Sequence, residues 1–487
     1  MPQSPDPGER TTAETSRRPR VLAVGAYERD NFGDLLFLLV TERYLTDADV
    51  VATAPFSADM TELLDREVAA YGPLLRDEPF DVVWTVGGQV GGTDLRSAFR
   101  MSAPPETYRV FQRSSAEEQA RMLREAVGDV PVVSPYIPSL AQFPKNAGAI
   151  SVLNSVGVSG IRGAKPSRRE ELVALLRGQT FISVRDKESS DYLNELGIEH
   201  RLVPDAVHAI SLLRPAERNP RSDVAIVQGS RAIFGKLGHA NVAAKLVESE
   251  HLKGLRIRFL LAGAASGHDS FEDCQAIVDH ARRLSPTIDI GIITDRRPYD
   301  LVDHMRQARV VIGTSLHVRI IACSYGVPRV TLSRTKPTRY ARVWDPDMPF
   351  DVSLDELDSA IGRALANAER PEVLKRSQEL SRLAHENLTD LADRVLTMAR
   401  TQTDADRQAR AELRRQVHTA MLAERARQED IQRLERELEQ ARKELAAIRS
   451  SRGYRLLARG ARVSRAIRRS LARAKRASRG STADSGR

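Results

Sequence analysis

From Val21 onward, short apolar runs alternate with longer stretches whose apolar residues recur at helical spacing. The runs are Val21–Ala26, Val50–Ala54, Phe80–Val86, Val130–Ser134 and Phe181–Val184, with segments such as Leu35–Leu45 between them. A second series follows at Val224–Val227, Ile257–Ala262, Ile288–Ile293, Arg309–Ile312 and Val330–Leu332. Short β-rich runs separated by helices predict βαβ units and parallel sheets. Leu212–Asp223 has two prolines, five charges and no helical period, so it reads as the link between the two series. The expected fold class is α/β: two doubly wound Rossmann-like domains, 20–211 and 212–400, facing a cleft. Ligands in such folds lie at the carboxyl ends of strands and between domains. Residues 1–19, rich in Pro, Ser, Thr and Arg, read as a disordered lead-in.

The pattern changes after Ser353. Helical text runs to about Arg400, the closing helices of the second domain, and a polar helix with heptads fills 403–450. Its a and d positions are Leu413, Val417, Ala420, Glu424, Arg427, Ile431, Leu434, Leu438, Ala441, Leu445 and Ile448. Their spacing alternates four and three, and most are apolar or Ala, which predicts a coiled coil and self-association through 413–448. Between Gln428 and Glu444 the other positions are charged or amide and could not face a core. Residues 451–487 form a basic tail. Within it Leu456, Gly460, Val463, Ile467 and Leu471 share one helical face, while Arg455, Arg459, Arg462, Arg465, Arg469 and Arg473 lie largely elsewhere. A basic amphipathic helix over 452–479 predicts contact with an anionic membrane surface.

Charge must be located before it is interpreted. The chain carries +9, but Arg452–Arg479 alone holds eleven Lys/Arg and no Asp/Glu. The remainder is slightly negative, so the body has no net attraction to a polyanion and nucleic acid is not the expected partner. No apolar run reaches the length of a membrane span. The apolar run after Arg17-Arg18 ends at Glu28, too short for an export signal. The two cysteines, Cys274 and Cys323, exclude a disulfide scaffold and a thiolate zinc site, and no metal-ligand spacing appears among the histidines. The expectation is a cytoplasmic protein, peripheral on the inner face of the membrane, with no metal and no cofactor.

Candidate chemistry gathers at strand ends. The first strand runs into Gly25-Ala-Tyr-Glu-Arg-Asp-Asn31-Phe-Gly33-Asp34, and the third into Gly87-Gly88-Gln-Val-Gly-Gly92. Both turns let a ligand approach the backbone, and the first leaves helix-start amides for an anion or hydroxyl. Phe181–Val184 is followed by Arg185-Asp186, and the next segment closes on Pro204-Asp205. Val310–Gly313 leads through Thr314-Ser315-Leu316 to His317 in the first turn of a helix that stops at Gly326. Arg329, Arg334, Lys336, Arg339 and Arg342 follow, a set able to hold phosphate or carboxylate. Gly229–Lys236 is not a P-loop: five residues separate its glycines and Leu237 follows the lysine.

Together these residues resemble the polysaccharide pyruvyltransferase family. The matching pieces are Gly25…Asn31-Phe-Gly33-Asp34, Gly87-Gly88, Val184-Arg185-Asp186…Ser189…Leu193…Gly197-Ile198, Pro204-Asp205, Ile312-Gly313…Leu316-His317…Ala322…Gly326-Val-Pro328, and Lys336. The resemblance spans roughly 21–345 and implies a GT-B-like fold. It implies transfer of the carboxyvinyl group of phosphoenolpyruvate onto sugar hydroxyls as a ketal, with release of phosphate. The acceptor expected is a cell-envelope polysaccharide or lipid-linked glycan precursor. His317 is the implied catalytic residue. Arg185, Arg319, Lys336, Asn31, Asp34, Gly87, Gly88 and Ser315 are the implied substrate-binding set. The family's histidine follows an Arg-Leu pair, and here that arginine is Ser315. Arg319, four residues on, lies on the same helical face and is expected to reach back into the vacated space. Two other readings compete: a non-catalytic sugar-binding or assembly module of the same family, and a GT-B glycosyltransferase using a nucleotide sugar.

Overall fold

The computed structural model describes residues 17–216, 222–265 and 267–480. Most of the predicted lead-in, the middle of the predicted link and the last seven residues of the tail lie outside the described residues. The chain divides into two compact units, 1–418 and 419–487.

The first unit holds two sheets. The larger runs, in spatial order, Ala58–Asp59, Glu67–Ala70, Asp49–Ala54, Arg20–Val24, Val82–Val86, Ile150–Val156, Phe181–Val184 and Arg201–Leu202. Its pairings are parallel except for Ala58–Asp59 with Glu67–Ala70. The smaller runs Ile290–Ile292, Arg256–Phe259, Val224–Val227, Val310–Gly313 and Arg329–Thr331, and is parallel throughout. Connecting helices cover both sheets, so central strands such as Val82–Val86 are buried along their whole length. This is the predicted doubly wound α/β architecture with two parallel sheets.

Each sheet has one point where the strand order turns back. In the first, the chain leaves Arg20–Val24 towards Asp49–Ala54 on one side and returns as Val82–Val86 on the other. In the second, Val224–Val227 is flanked by Arg256–Phe259 and Val310–Gly313. The loops leaving such neighbours diverge and open a crevice at the carboxyl ends.

One expected strand needs correction. Val130–Ser134 is not a strand: Ser134 makes only an isolated bridge with Ile137. The fourth strand of the series is Ile150–Val156, whose apolar run is broken by Ser151, Asn154 and Ser155. These polar groups are buried but engaged. Asn154 Oδ1 accepts from Ser183 and Asn387, and Ser155 Oγ donates to the Pro204 carbonyl. The closing helix Pro371–Thr401 packs Leu388, Leu391, Val395 and Leu396 into a core shared by both sheets, with Val21, Val82 and Ile150 of the first and Ile226 and Val311 of the second.

The helix Asp404–Ser450 then begins on the first lobe. Arg407 pairs with Asp81, and Arg410 donates to the Gly148 carbonyl. Arg414 is buried and donates to the carbonyls of Ala147, Ala149 and Gly178 and to Ser151 Oγ. The body therefore extends past 403, into the segment read as pure coiled coil. Further on, Ile431, Leu434, Leu438, Leu445 and Ile448 are exposed, and the helix Arg452–Gly480 exposes Leu456, Val463, Ile467 and Leu471. No helix among the described residues is long and apolar enough to cross a membrane.

Candidate active site

A cavity of about 540 Å³ opens where the two crevices face each other. Asn31 and Asp34 enter from the first strand's loop and helix, Gly87 and Gly88 from the end of Val82–Val86, and Ser315, His317 and Lys336 from the second lobe. All seven were predicted as site residues, and all seven line the cavity.

The first loop is held by its own charges. Arg29 donates to Asp34 Oδ2 at 2.9 Å, and Asn31 Nδ2 donates to the same oxygen at 2.8 Å. Burial would raise the Asp34 carboxyl. Arg29, His317 and Lys336 more than offset it, so the group stays ionised, below its ordinary range. Two glycines are required by close approach. A Cβ on Gly33 would stand 1.8 Å from His317 Nδ1, and one on Gly87, at φ +60°, would enter the Phe37 ring. Gly33 thus creates the space in which the other lobe's histidine sits.

His317 lies in the first turn of Leu316–Ser324, edge-on to Phe37 with ring centroids 5.0 Å apart. Its Nε2 lies 3.9 Å from Asp205 Oδ2 and has no hydrogen-bond partner among the described residues. Burial pushes the imidazole down to about 4, which Asp205 only partly opposes and Arg185 and Lys336 reinforce. It is neutral at pH 7, a base and a hydrogen-bond donor rather than a ready acid.

Behind His317 stands a fully buried row. Arg185 pairs with Asp205 and lies over the Phe37 ring. The Asp205 amide donates to Tyr340 Oη at 3.0 Å. That hydroxyl also contacts His208 Nε2, and His208 Nδ1 contacts Ser324 Oγ. Arg185 is therefore not a cavity-lining clamp: its charge holds Asp205 beneath the histidine.

Arg319 does not fill the place left by Ser315. It is buried under the helix, where it donates to Thr331 Oγ1 and to the carbonyls of Asp345, Met348 and Pro349, and pairs with the Asp345 carboxylate. The two amides just before the helix are engaged. Gln228 Oε1 accepts from the amides of Thr314 and Ser315, while Gln228 Nε2 donates to Asp269. The five cations after the helix disperse too. Arg329 pairs with Asp345, Arg339 with Glu188 and Arg342 with Asp351, which leaves Arg334 and Lys336 at the cavity. Lys336 is open to the cleft yet deep within it. Desolvation, with Arg185 adding to it, pushes its amine down to about 8.

Sequence reasoning missed several lining groups. Arg29 and Tyr136 come from the first lobe, and Gln228, His268 and Asp269 from the second. Gly267-His268-Asp269 lies in a loop with no apolar period, so only its position after a strand could have flagged it. Burial is the main cause that lowers the His268 imidazole and pushes the Asp269 carboxyl up to about 7. Among the described residues no cluster of His, Cys, Asp and Glu is placed to hold a metal.

Residues 128–336, which supply His317, Lys336 and the Arg185–Asp205 pair, match the family model described as polysaccharide pyruvyl transferase. Over these residues the chain is similar to the polysaccharide pyruvyl transferases. No curated protein is detectably similar in sequence. Among solved structures, the UDP-GlcNAc 2-epimerase of Methanocaldococcus jannaschii is 13% identical with a TM-score of 0.42, over 75% of this chain and 99% of that one. The Neisseria meningitidis UDP-GlcNAc 2-epimerase is 12% identical with a TM-score of 0.44, over 78% and 99%. The spinosyn rhamnosyltransferase SpnG is 12% identical with a TM-score of 0.36, over 77% and 99%. The match ends at Lys336, the last cavity residue that the family resemblance named.

Proposed function

We propose that the chain moves the carboxyvinyl group of phosphoenolpyruvate onto two hydroxyls of a cell-envelope glycan or its lipid-linked precursor, as a ketal. The observation that carries this reading is the convergence of His317, Asp34, Asn31, Ser315 and Lys336 on one cavity, whose second-lobe wall lies within the residues that match the pyruvyl transferase family model. The donor brings a phosphate and a carboxylate, and Arg29, Arg334 and Lys336 are the cations facing it. Neutral His317 is suited to take the proton of the first attacking hydroxyl. The Lys336 ammonium is suited to deliver one to the methylene carbon, which becomes the methyl group. The second hydroxyl displaces the phosphate, which leaves with that hydroxyl's proton. The test is phosphate release from phosphoenolpyruvate with and without lipid-linked glycan acceptors.

One observation favours a second reading, a non-catalytic sugar-binding module. Ser315 stands where the family's motif has arginine, and Arg319 is committed elsewhere. Absence of acceptor-dependent phosphate release would favour it.

The appended helices serve this function by assembly and placement. The exposed heptad residues Ile431, Leu434, Leu438 and Leu445 bury apolar surface only against a partner, most simply a second copy. A chain ending at residue 418 is expected to be folded and monomeric, and the full chain dimeric, by light scattering. A chain ending at 402 loses the buried Arg414 contacts and is expected to be less stable by ~2–4 kcal/mol in thermal or urea unfolding. A monomeric full chain at micromolar concentration would exclude the dimer.

The helix Arg452–Gly480 is expected to bind vesicles containing anionic lipid, to release them in high salt, and to ignore neutral vesicles. Each arginine near such a surface contributes about 1 kcal/mol, so a few suffice for reversible adhesion. This confines the cleft to the cytoplasmic face, where a lipid-linked acceptor lies. Equal sedimentation with neutral and anionic vesicles, or with neither in low salt, would refute it.

A further inference from the structure

A second concavity of about 1060 Å³ continues from the cavity and shares Arg29, Met101, His268 and Asp269 with it. None of the predicted site residues lines it. Its lining holds five arginines matched by five Asp/Glu, so, unlike the cavity, it carries no excess of cations. The chain is only 5% aromatic, yet Phe56, Phe99, Tyr108 and Phe271 all face this groove. On the first lobe they form a packed row: Phe56 against Phe99 at 5.5 Å, Phe99 against Phe111 at 5.0 Å, and Phe111 against Tyr108 at 6.0 Å. Phe271 comes from the second lobe, at the first position of Phe271–Leu284, and is 47% exposed.

Among these apolar faces stands one buried carboxylate. Glu28 is 4% exposed and lines the groove beside Arg29. Its Oε1 accepts from Ser102 Oγ at 2.7 Å and from Tyr136 Oη at 3.0 Å. Its Oε2 is buried with no partner among the described residues. An unpartnered buried carboxylate oxygen is costly, and burial raises the Glu28 carboxyl above its ordinary value, with Arg29 opposing it only in part. Such an oxygen favours a ligand that brings a hydrogen-bond donor and disfavours one that brings an anion. Aromatic faces favour a flat, partly apolar surface. A pyranose ring offers both, with C–H groups on its face and hydroxyls on its edge.

We propose that this groove is a sugar subsite, in which the ring of a neutral glycan acceptor lies on Phe271 and Tyr108 and one hydroxyl donates to Glu28 Oε2. The assignment of the sugar as acceptor rests on the reading of the adjoining cavity as the phosphoenolpyruvate site. Glu28 is a binding residue here: it fixes the ring edge at the mouth of the cavity where His317 stands.

The test uses the full-length protein and saturation-transfer NMR with the methyl glycosides of galactose, mannose and N-acetylglucosamine. At least one is expected to receive saturation in its ring protons. Phe271→Ala should weaken that signal by ~5-fold or more, since the exposed side chain can be removed without opening a core void. Glu28→Gln keeps an acceptor oxygen for Ser102 and Tyr136 but replaces the free oxygen by an amide, and should weaken it by ~10-fold or more. No transfer to any of the three sugars, or transfer unchanged in both variants, overturns the subsite. The outcome is separable from the transferase reading. A glycoside signal lost in the variants, in a protein that releases no phosphate, supports the groove and sinks the donor assignment. Phosphate release that persists without any glycoside signal does the reverse.

Discussion

Replacing His317 by alanine is expected to lower acceptor-dependent phosphate release by ~10²–10⁴-fold, the range for loss of a positioned proton carrier. The imidazole stands at the meeting of both crevices, held by Phe37, the space at Gly33 and the Arg185–Asp205 pair behind it. Its pH signature follows from the same surroundings. The neutral imidazole is the active form and is present above about 4, so activity should fall only as pH drops through that value. The Lys336 ammonium is present below about 8, so activity should fall again as pH rises through that value. The profile of kcat/KM for the free enzyme should therefore be a broad plateau between those limits. Lys336→Met should remove the upper limb and most of the activity. Thermal unfolding of each variant separates lost chemistry from lost fold. Near-wild-type turnover in His317→Ala would remove the imidazole from the mechanism, and an upper limb that survives in Lys336→Met would remove the lysine.

Arg319→Ala is expected to destabilise the fold by ~3–5 kcal/mol and to leave donor affinity unchanged in the folded fraction. The guanidinium satisfies three backbone carbonyls and Thr331 Oγ1 and shares Asp345 with Arg329. An alanine strands all of them in a dry interior, and Arg329 covers only the carboxylate. Ser315→Arg, by contrast, places a cation at the cavity wall and should lower KM for phosphoenolpyruvate without needing any change at 319. Urea unfolding and donor KM together decide the matter. A specific loss of donor affinity with unchanged stability would return Arg319 to the site.

The case of Arg319 shows where the sequence stops being legible. Helix geometry correctly places residues 315 and 319 on one face. It cannot show that the segment 345–349 turns its carbonyls towards that face and draws the guanidinium down. The βαβ order was readable because strands covered on both sides must be apolar along their length. The same rule hid Ile150–Val156, whose Ser151, Asn154 and Ser155 are buried because residues 178–204 and Asn387 supply their partners. At the site, the strand-end glycines and His317 stood out by position. The reason for Gly33 did not, because the atom it makes room for arrives from the other lobe. Arg185 looked like a clamp at a strand end until its counter-ion, Asp205, was seen to lie behind the histidine and not across the cavity. His268 and Asp269 carried no local pattern at all; tertiary placement alone makes them part of the cavity.

The central claim is that the cavity passes a carboxyvinyl group from phosphoenolpyruvate to a glycan. It is tested most directly by incubating the full chain with phosphoenolpyruvate isotopically labelled at its central carbon and a lipid-linked glycan extract, and following that carbon by NMR. The account predicts that the vinyl signal is replaced by that of a ketal carbon bound to the glycan, with one phosphate released per ketal formed and no change in His317→Ala. Labelled phosphoenolpyruvate that persists unchanged beside the glycan, with the protein folded, would contradict it.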